Sequence, residues 1–368
     1  MDMTSVLLTT LYMSLISVVL AVVIVIAEHF LNDYGTCTID INGGSRVVQA
    51  QGGASLLSTL AGQKIFVPSA CGGKATCGLC KVKVLEGGGT LLPTEEPYLS
   101  AEERAAGMRL ACQLKVKGNL RISVPEELFN IREYKTRIER YDTLTHDIKG
   151  IRFALLDPPE ISFKAGQYVQ FYSEPYGPVK ERVFRAYSMA SSPSDRNAVE
   201  LIVRLVPEGV VTTYAHTMLK QGDLVTLSGP YGEFYLRGNC KELVMIAGGS
   251  GLAPIRSLIL DILERGLDYK MTFFFGAVTK KDLYYLDELG ALAAKHPNFR
   301  FIPALSKPLP TDAWTGETGL ITEVVDRFVP DGLEKEAYLC GSPGMINACL
   351  AVLGKKGIPT DRIFYDKF

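Results

Sequence analysis

Hydrophobic positions along the chain change their pattern three times, dividing it into four stretches. The first is a block: Val6 to Ala27 is 22 residues of nearly continuous apolar sequence, and no charged residue occurs from Met3 to Ala27. A helix of that length rises about 33 Å, enough to cross a hydrocarbon core of roughly 30 Å. A single transmembrane anchor over residues 6–27 is predicted, within a segment 1–31. A cleaved signal peptide is the competing reading. Against it stand Asp2 with no basic residue in MDMTS, a run too long for such a peptide and no A-x-A site after it.

The second stretch, 34–128, has short alternating runs. CTIDIN (37–42) and RVVQAQ (46–51) flank Gly43-Gly44-Ser45 as a hairpin, SLLSTLAGQ (55–63) reads as a short helix and KVKVLEG (81–87) as a strand. In the third, 130–238, GIRFALL (150–156), QYVQFY (167–172) and VELIVRLV (199–206) lie between Gly and Pro turns, which predicts a small antiparallel barrel. The fourth, 239–368, alternates. ELVMIAGG (242–249), MTFFFGAV (271–278), FRFIPALS (299–306) and AYLCGS (337–342) are apolar strands. Helical patterns separate them: IRSLILDILERG (255–266), DELGALAAKH (287–296), ITEVVDRF (321–328) and GMINACLAVLGKKG (344–357). That alternation predicts a doubly wound parallel sheet with a dinucleotide at the carboxyl ends of its strands. The fold class is multidomain, α+β and α/β.

Composition narrows the function. The chain has 368 residues, 47% of them hydrophobic, enough for two or three cored domains. Thirty-nine Lys and Arg against forty Asp and Glu leave a net charge of −1, no field for nucleic acid.

Four of the eight cysteines, Cys71, Cys77, Cys80 and Cys112, fall in one region, and three of them share a Gly-rich loop. This is too local for a disulfide framework and points to metal ligation. The spacing C-x5-C-x2-C with a distant fourth Cys is close to the plant-type [2Fe–2S] pattern, with one extra residue in the first gap. Zinc is the alternative, although a zinc ribbon presents two C-x2-C knuckles and only one exists here. Cys37 reads as a small buried hydrophobe.

Within the barrel region, Arg185, Ala186, Tyr187 and Ser188 form R-A-Y-S. Gly209, Thr212 and Thr213 then precede the helical AHTMLK. An Arg can pair with pyrophosphate, a Tyr ring can lie on an isoalloxazine, a Ser can bond a ring nitrogen, and threonines at a helix N-terminus can meet phosphate or merely cap the helix. After the first strand of the last region comes Gly248-Gly249-Ser250-Gly251, followed by Pro254. It is a Gly-rich turn without the usual G-x-G-x-x-G spacing.

R-A-Y-S, G-P-Y-G-E-F (229–234), G-G-S-G-L-A-P, C-G-S-P (340–343) and the terminal Phe368 resemble the ferredoxin–NADP⁺ reductase superfamily. With the thiol loop and apolar block in front, and W-T-G-x-T-G from Trp314 to Gly319, the chain is similar to the family of electron-input subunits of Na⁺-translocating NADH:quinone oxidoreductases. It differs in the brief SEPYGPVKERVF (173–184) before R-A-Y-S. The resemblance implies a β-grasp ferredoxin domain at 34–128, an FAD-binding barrel at 130–238 and an NAD(P)H-binding domain at 239–368. It implies that Arg185 contacts the FAD pyrophosphate, Tyr187 packs on the flavin, Ser188 lies near its N5, and Gly209, Thr212 and Thr213 hold phosphate. Gly248 to Gly251 with Pro254 would approach the nicotinamide dinucleotide, Cys340 with Gly341 and Pro343 would flank the hydride path, and Phe368 would cover the flavin.

NADH donates hydride and a [2Fe–2S] cluster takes one electron at a time, so a flavin between them is the converter. The expected route is NADH to FAD to cluster to a membrane acceptor, with quinone as the indirect acceptor and membrane subunits of a respiratory complex as partners. The expected location is a bacterial inner membrane, crossed once, with the soluble domains facing the cytoplasm where NADH is found. Two other functions stay open: the reductase component of a multicomponent oxygenase, and a non-catalytic adaptor or assembly subunit. NADPH also stays open, since Lys280, Lys281 or Lys307 could meet a 2′-phosphate.

Overall fold

The structure is a computed structural model that describes the backbone of residues 3–31 and 34–367, and side chains of 8–23, 34–126 and 128–367. It divides into two compact units, residues 1–130 and 131–368.

In the first unit, α1 (Met3–Leu31) is one 29-residue helix whose side chains from Leu8 to Val23 are exposed. Among the described residues, no helix is long and apolar enough to cross a membrane. The side chains described within α1 cover only about 24 Å at 1.5 Å per residue, and the expected span over 6–27 passes beyond them at both ends.

A five-stranded sheet follows, built from β1 (Thr36–Ile41), β2 (Arg46–Gln51), β3 (Lys81–Glu86), β4 (Met108–Leu110) and β5 (Leu120–Ser123), in the order β2-β1-β5-β3-β4. The β1–β2 hairpin is antiparallel and turns at Gly43 and Gly44, both at positive φ, while β1 and β5 run parallel. Two helices complete the unit. α2 (Leu56–Gly62) is capped by Ser55 and buries Leu56, Leu57 and Leu60, and α3 (Ala101–Ala105) opens with a Ser100/Glu103 capping box. Cys37 is 1% exposed in β1, as a small core residue would be.

The second unit begins with β6 (Arg132–Thr143), β7 (Ile148–Asp157), β8 (Tyr168–Ser173), β9 (Val183–Ser188), β10 (Ala198–Arg204), α4 (Val210–Thr217) and β11 (Leu224–Tyr231). The strand order is β10-β7-β6-β11-β8-β9 with every pairing antiparallel, and a bridge between Met189 and Leu201 joins the end of β9 to β10. The sequence pattern predicts neither β6 nor β11. β6 reads REYKTRIERYDT, with the buried residues Tyr134, Thr136 and Ile138 set among exposed charges, so its apolar signal is diluted.

The chain ends in a parallel sheet. Its elements are β12 (Glu242–Gly248), α5 (Leu252–Glu264), β13 (Lys270–Ala277), α6 (Leu286–Lys295), β14 (Phe299–Leu305), β15 (Glu317–Thr318), α7 (Ile321–Phe328), β16 (Lys335–Gly341), α8 (Pro343–Lys355) and β17 (Ile363–Lys367). The order is β15-β14-β13-β12-β16-β17, all parallel. Leu243, Met245 and Ala247 of β12 face the core shared with α5, whereas Val244 and Ile246 face that shared with α7 and α8. Burial on both faces is why these strands read as continuous apolar runs. α5 starts at Leu252, three residues before the predicted helix, and α4 starts at Val210, five before AHTMLK. Pro254 explains the first shift. It is tolerated in the first turn of a helix, where its missing N–H bonds nothing.

Candidate cofactor and nicotinamide sites

The four clustered thiols pair two and two. Cys71 and Cys77 lie 3.3 Å apart, Sγ to Sγ, and Cys80 and Cys112 hydrogen-bond each other. Burial raises the pKa of the Cys71 thiol, but hydrogen bonds from Thr76, Cys77 and Lys74 outweigh it and bring the value to about 6. Cys77 moves upward, chiefly through burial. In the second pair, the bond from Cys80 lowers Cys112 to about 7 and raises Cys80. In each pair one thiol is pushed toward the thiolate that a metal requires. Among the described residues, no group of three ligating side chains could hold a single metal ion. A two-iron cluster asks for a different arrangement, two thiolates on each iron, and the pairing fits it.

A buried ion pair supports the fourth thiol. Glu95 is fully buried and Arg109 is 7% exposed. The guanidinium grips the carboxylate through Nε at 2.9 and 3.0 Å and Nη2 at 2.7 Å, and donates from Nη1 to the Gly88 carbonyl at 2.5 Å. The carboxylate also accepts from the backbone N–H of Leu110 and of Leu92. The segment leading to Cys112 is thus fastened two residues before the thiol.

In the second unit, Arg185, Ala186, Tyr187 and Ser188 are the last four residues of β9, half-buried and registered against Phe171, Gln170, Val169 and Tyr168. Tyr187 lies 5.7 Å from the Phe171 ring, and burial pushes its hydroxyl pKa upward. The Arg185 guanidinium rests on its neighbour's carbonyl, Phe184 O, at 2.6 Å. Gly209 is the N-cap of α4 and makes no side-chain cap bond. A Cβ there would stand 2.4 Å from Thr212 Oγ1. The Thr212 hydroxyl turns back into the loop, donating to Gly209 O at 3.1 Å and accepting from Val206 N at 3.2 Å. Thr213 lies one residue further into the helix, where its backbone N–H returns to Gly209 O at 2.8 Å.

The G-G-S-G and C-G-S-P strings, nearly ninety residues apart, meet backbone to backbone. A Cβ on Gly251 would lie 2.1 Å from Cys340 O and 2.9 Å from Gly341 N, and one on Gly248 would strike Met345 Sδ at 2.8 Å. Only glycine permits that approach. Gly249 to Gly251 is a single 3₁₀ turn, with Ser250 at its centre, and Pro254 is buried in α5. Ser342 caps α8 and Pro343 is its first residue. Cys340 is fully buried, and burial pushes its thiol well above the usual range. Asp366 of β17 is its register partner, a carboxyl also raised by burial. Phe368 lies outside the described residues.

Several site residues carried no signal in the sequence. Arg204, ending β10, has its Nη1 3.2 Å from where a Gly249 Cβ would be and its Nε 2.7 Å from Asp147, which brings the barrel to the glycine turn. Of the lysines considered for a 2′-phosphate, Lys280 donates to Asp312 O at 3.0 Å. The Lys307 backbone N–H meets Val278 O, so both follow adjacent strands, and Lys281 is exposed.

Comparison with known proteins agrees with this layout. The sequence matches the 2Fe-2S iron-sulfur cluster binding domain over residues 39–117, the oxidoreductase FAD-binding domain over 135–235 and the oxidoreductase NAD-binding domain over 245–350. The F subunit of the Na(+)-translocating NADH-quinone reductase of Actinobacillus succinogenes is 37% identical over 396 residues, covering 96% of each chain. Its counterpart in Neisseria meningitidis is 36% identical over 397 residues, covering 96% of this chain and 97% of that one. Among solved structures, the Amycolatopsis cytochrome P450 reductase GcoB has a TM-score of 0.72 at 30% identity over 90% of this chain and 99% of its own. The ferredoxin reductase in carbazole 1,9a-dioxygenase has a TM-score of 0.69 at 27% identity over 90% and 98%. The chain carries FAD-binding, NAD-binding and 2Fe-2S domains, and it belongs to the family of F subunits of the Na⁺-translocating NADH-quinone reductases.

Proposed function

We propose that the chain is the NADH-oxidising, electron-input subunit of a membrane-bound NADH:quinone oxidoreductase of the Na⁺-translocating type. The observation that carries this is the backbone contact of Gly251 with Cys340 beside Arg204 of the barrel. It joins a dinucleotide turn to the strand end where hydride would pass. Bound FAD and a [2Fe–2S] cluster supply the conversion of hydride into single electrons.

The chain's own residues bind and orient. Arg185 pairs with the FAD pyrophosphate, Tyr187 supports the flavin, Ser188 lies near its N5, and the α4 start with Gly209, Thr212 and Thr213 takes phosphate. Gly248 to Gly251 receives the nicotinamide dinucleotide. Cys340, held neutral by burial, borders the hydride path without adding charge to it. Cys71, Cys77, Cys80 and Cys112 ligate the cluster.

The anchor reading places residues 6–27 across the inner membrane, with the soluble domains in the cytoplasm, membrane subunits as partners and quinone as the indirect acceptor. Two hydroxyls in α1 suit an apolar surrounding: Ser14 donates to Thr10 O and Ser17 to Met13 O, each at 2.9 Å. An oxygenase reductase is the second reading, favoured by GcoB and the carbazole dioxygenase reductase among the structural relatives. The full chain should sediment with membranes and reduce ferricyanide with NADH. A soluble full-length chain would favour the oxygenase reading, and an inert one the adaptor reading.

Phe368 follows β17, whose Asp366 is paired with Cys340. We assign its ring to the flavin face that nicotinamide must reach. Phe368→Ser should tighten nicotinamide binding and raise a long-wavelength charge-transfer band. An unchanged dissociation constant and flavin spectrum would remove Phe368 from the site. NADPH use through Lys281 or Lys307 would appear in the same titrations as comparable affinity for the two nucleotides.

A further inference from the structure

Two consecutive tyrosines stand between the glycine-rich turn and the barrel. Tyr284 is 5% exposed, with its ring edge-on to Phe275 at 5.5 Å, and its hydroxyl donates to Gly249 O at 2.7 Å. Burial holds that hydroxyl protonated far above the usual tyrosine range, so it remains a donor. Gly249 is in the left-handed region at φ +57°, which glycine adopts without steric cost, and the bond fixes its carbonyl.

Tyr285 faces the other way. It is itself left-handed, at φ 56° and ψ 23°, as the N-cap of α6, a conformation unfavourable for a bulky aromatic. Its hydroxyl donates to Glu200 Oε1 at 2.7 Å. Glu200 belongs to β10 of the barrel and is 4% exposed. Arg140 at 3.4 Å and Arg256 at 3.6 Å approach the same carboxylate. Arg256 also lies over the Tyr285 ring at 4.9 Å and donates to Ala190 O of the barrel at 2.7 Å. The left-handed kink lets neighbours in sequence grip opposite partners, one the dinucleotide turn and the other the flavin-binding barrel.

We propose that Tyr284 and Tyr285 are positioning residues for hydride transfer, with Tyr284 holding the Gly249 carbonyl in its binding geometry and Tyr285 locking that turn to the barrel through Glu200. The proposal rests on the reading of Gly248 to Gly251 as the nicotinamide site. It separates two effects: loosening the turn weakens nucleotide binding, and loosening the lock disturbs ring-to-ring register after binding.

The test uses the full chain loaded with FAD and cluster, and measures the NAD⁺ dissociation constant, the rate of flavin reduction at saturating NADH, flavin content and Tm. Tyr284→Phe keeps the ring and should raise the dissociation constant about three- to ten-fold, the effect of one lost hydrogen bond. Tyr285→Phe should leave that constant within about two-fold and slow flavin reduction at saturation by roughly ten-fold, as expected for misplaced reactants. Flavin content should stay unchanged in both. A lowered Tm with both kinetic quantities unchanged would reduce the tyrosines to packing and overturn the proposal. Gly249→Ser distinguishes the underlying reading. If it weakens NAD⁺ binding while the tyrosine variants do not, the turn is the site and the positioning role is wrong. If it leaves NAD⁺ binding intact, the turn reading and the proposal fall together.

Discussion

Replacing Cys112 by alanine should abolish the iron–sulfur cluster and leave the flavin in place. The fourth thiol comes from a different segment than the other three and is the hydrogen-bonded partner of Cys80. Without it one iron keeps a single protein thiolate, and a cluster held by four cysteines is not retained. Iron should fall from about two per chain to near zero, and the EPR signal of the reduced protein should vanish. FAD content should be unchanged, because the residues proposed to hold it, Arg185, Tyr187, Ser188 and Gly209, belong to the other compact unit. NADH should still reduce ferricyanide while acceptors served by the cluster receive nothing. Zinc in the parent protein, or full iron content in the variant, would refute the ligand assignment.

The second large effect is expected at Glu95. Glu95→Ala leaves the Arg109 guanidinium buried with only the Gly88 and Gly89 carbonyls as acceptors, and breaking a buried pair from one side costs about 3–5 kcal/mol. It also frees Leu110 N, two residues before Cys112, so the cluster should be lost at a temperature where the parent keeps it. The same pair gives the unit an acid limit. Burial alone would raise the Glu95 pKa, but Arg109 and the N–H groups of Leu110 and Leu92 outweigh it and hold the carboxyl below its ordinary range. A depressed folded value contributes stability above the unfolded carboxylate's pKa of about 4.3 and loses it as pH falls through the folded value. Cluster bleaching between pH 5 and 3, followed by absorbance, should come earlier in Glu95→Gln than in the parent. Identical acid profiles would show that the pair adds nothing to cluster retention.

What could be read from the sequence was what local chemistry writes locally. The strands of the parallel sheet are apolar on both faces, and the thiol loop and G-G-S-G turn are contiguous strings. β6 escaped because its three inward residues are spaced among nine others that are mostly charged or polar. The pair Glu95–Arg109 and the contacts of Glu200 with Tyr285 and Arg256 escaped for another reason. A buried charge is recognisable only by its partner, and these partners lie 14 to 85 positions apart. Thr212 shows a local role that its position also allowed: at a helix start its hydroxyl bonds Val206 and Gly209 and shapes the loop.

The central claim is that one chain takes hydride from NADH and delivers single electrons to its cluster. Anaerobic titration of the full chain, loaded with FAD and iron, with NADH tests it most directly, following flavin absorbance and cluster EPR in the same samples. The account predicts bleaching of the flavin together with a rhombic EPR signal from the reduced cluster. Flavin that stays oxidised under excess NADH, or a bleached flavin beside a cluster that remains EPR-silent, would contradict it.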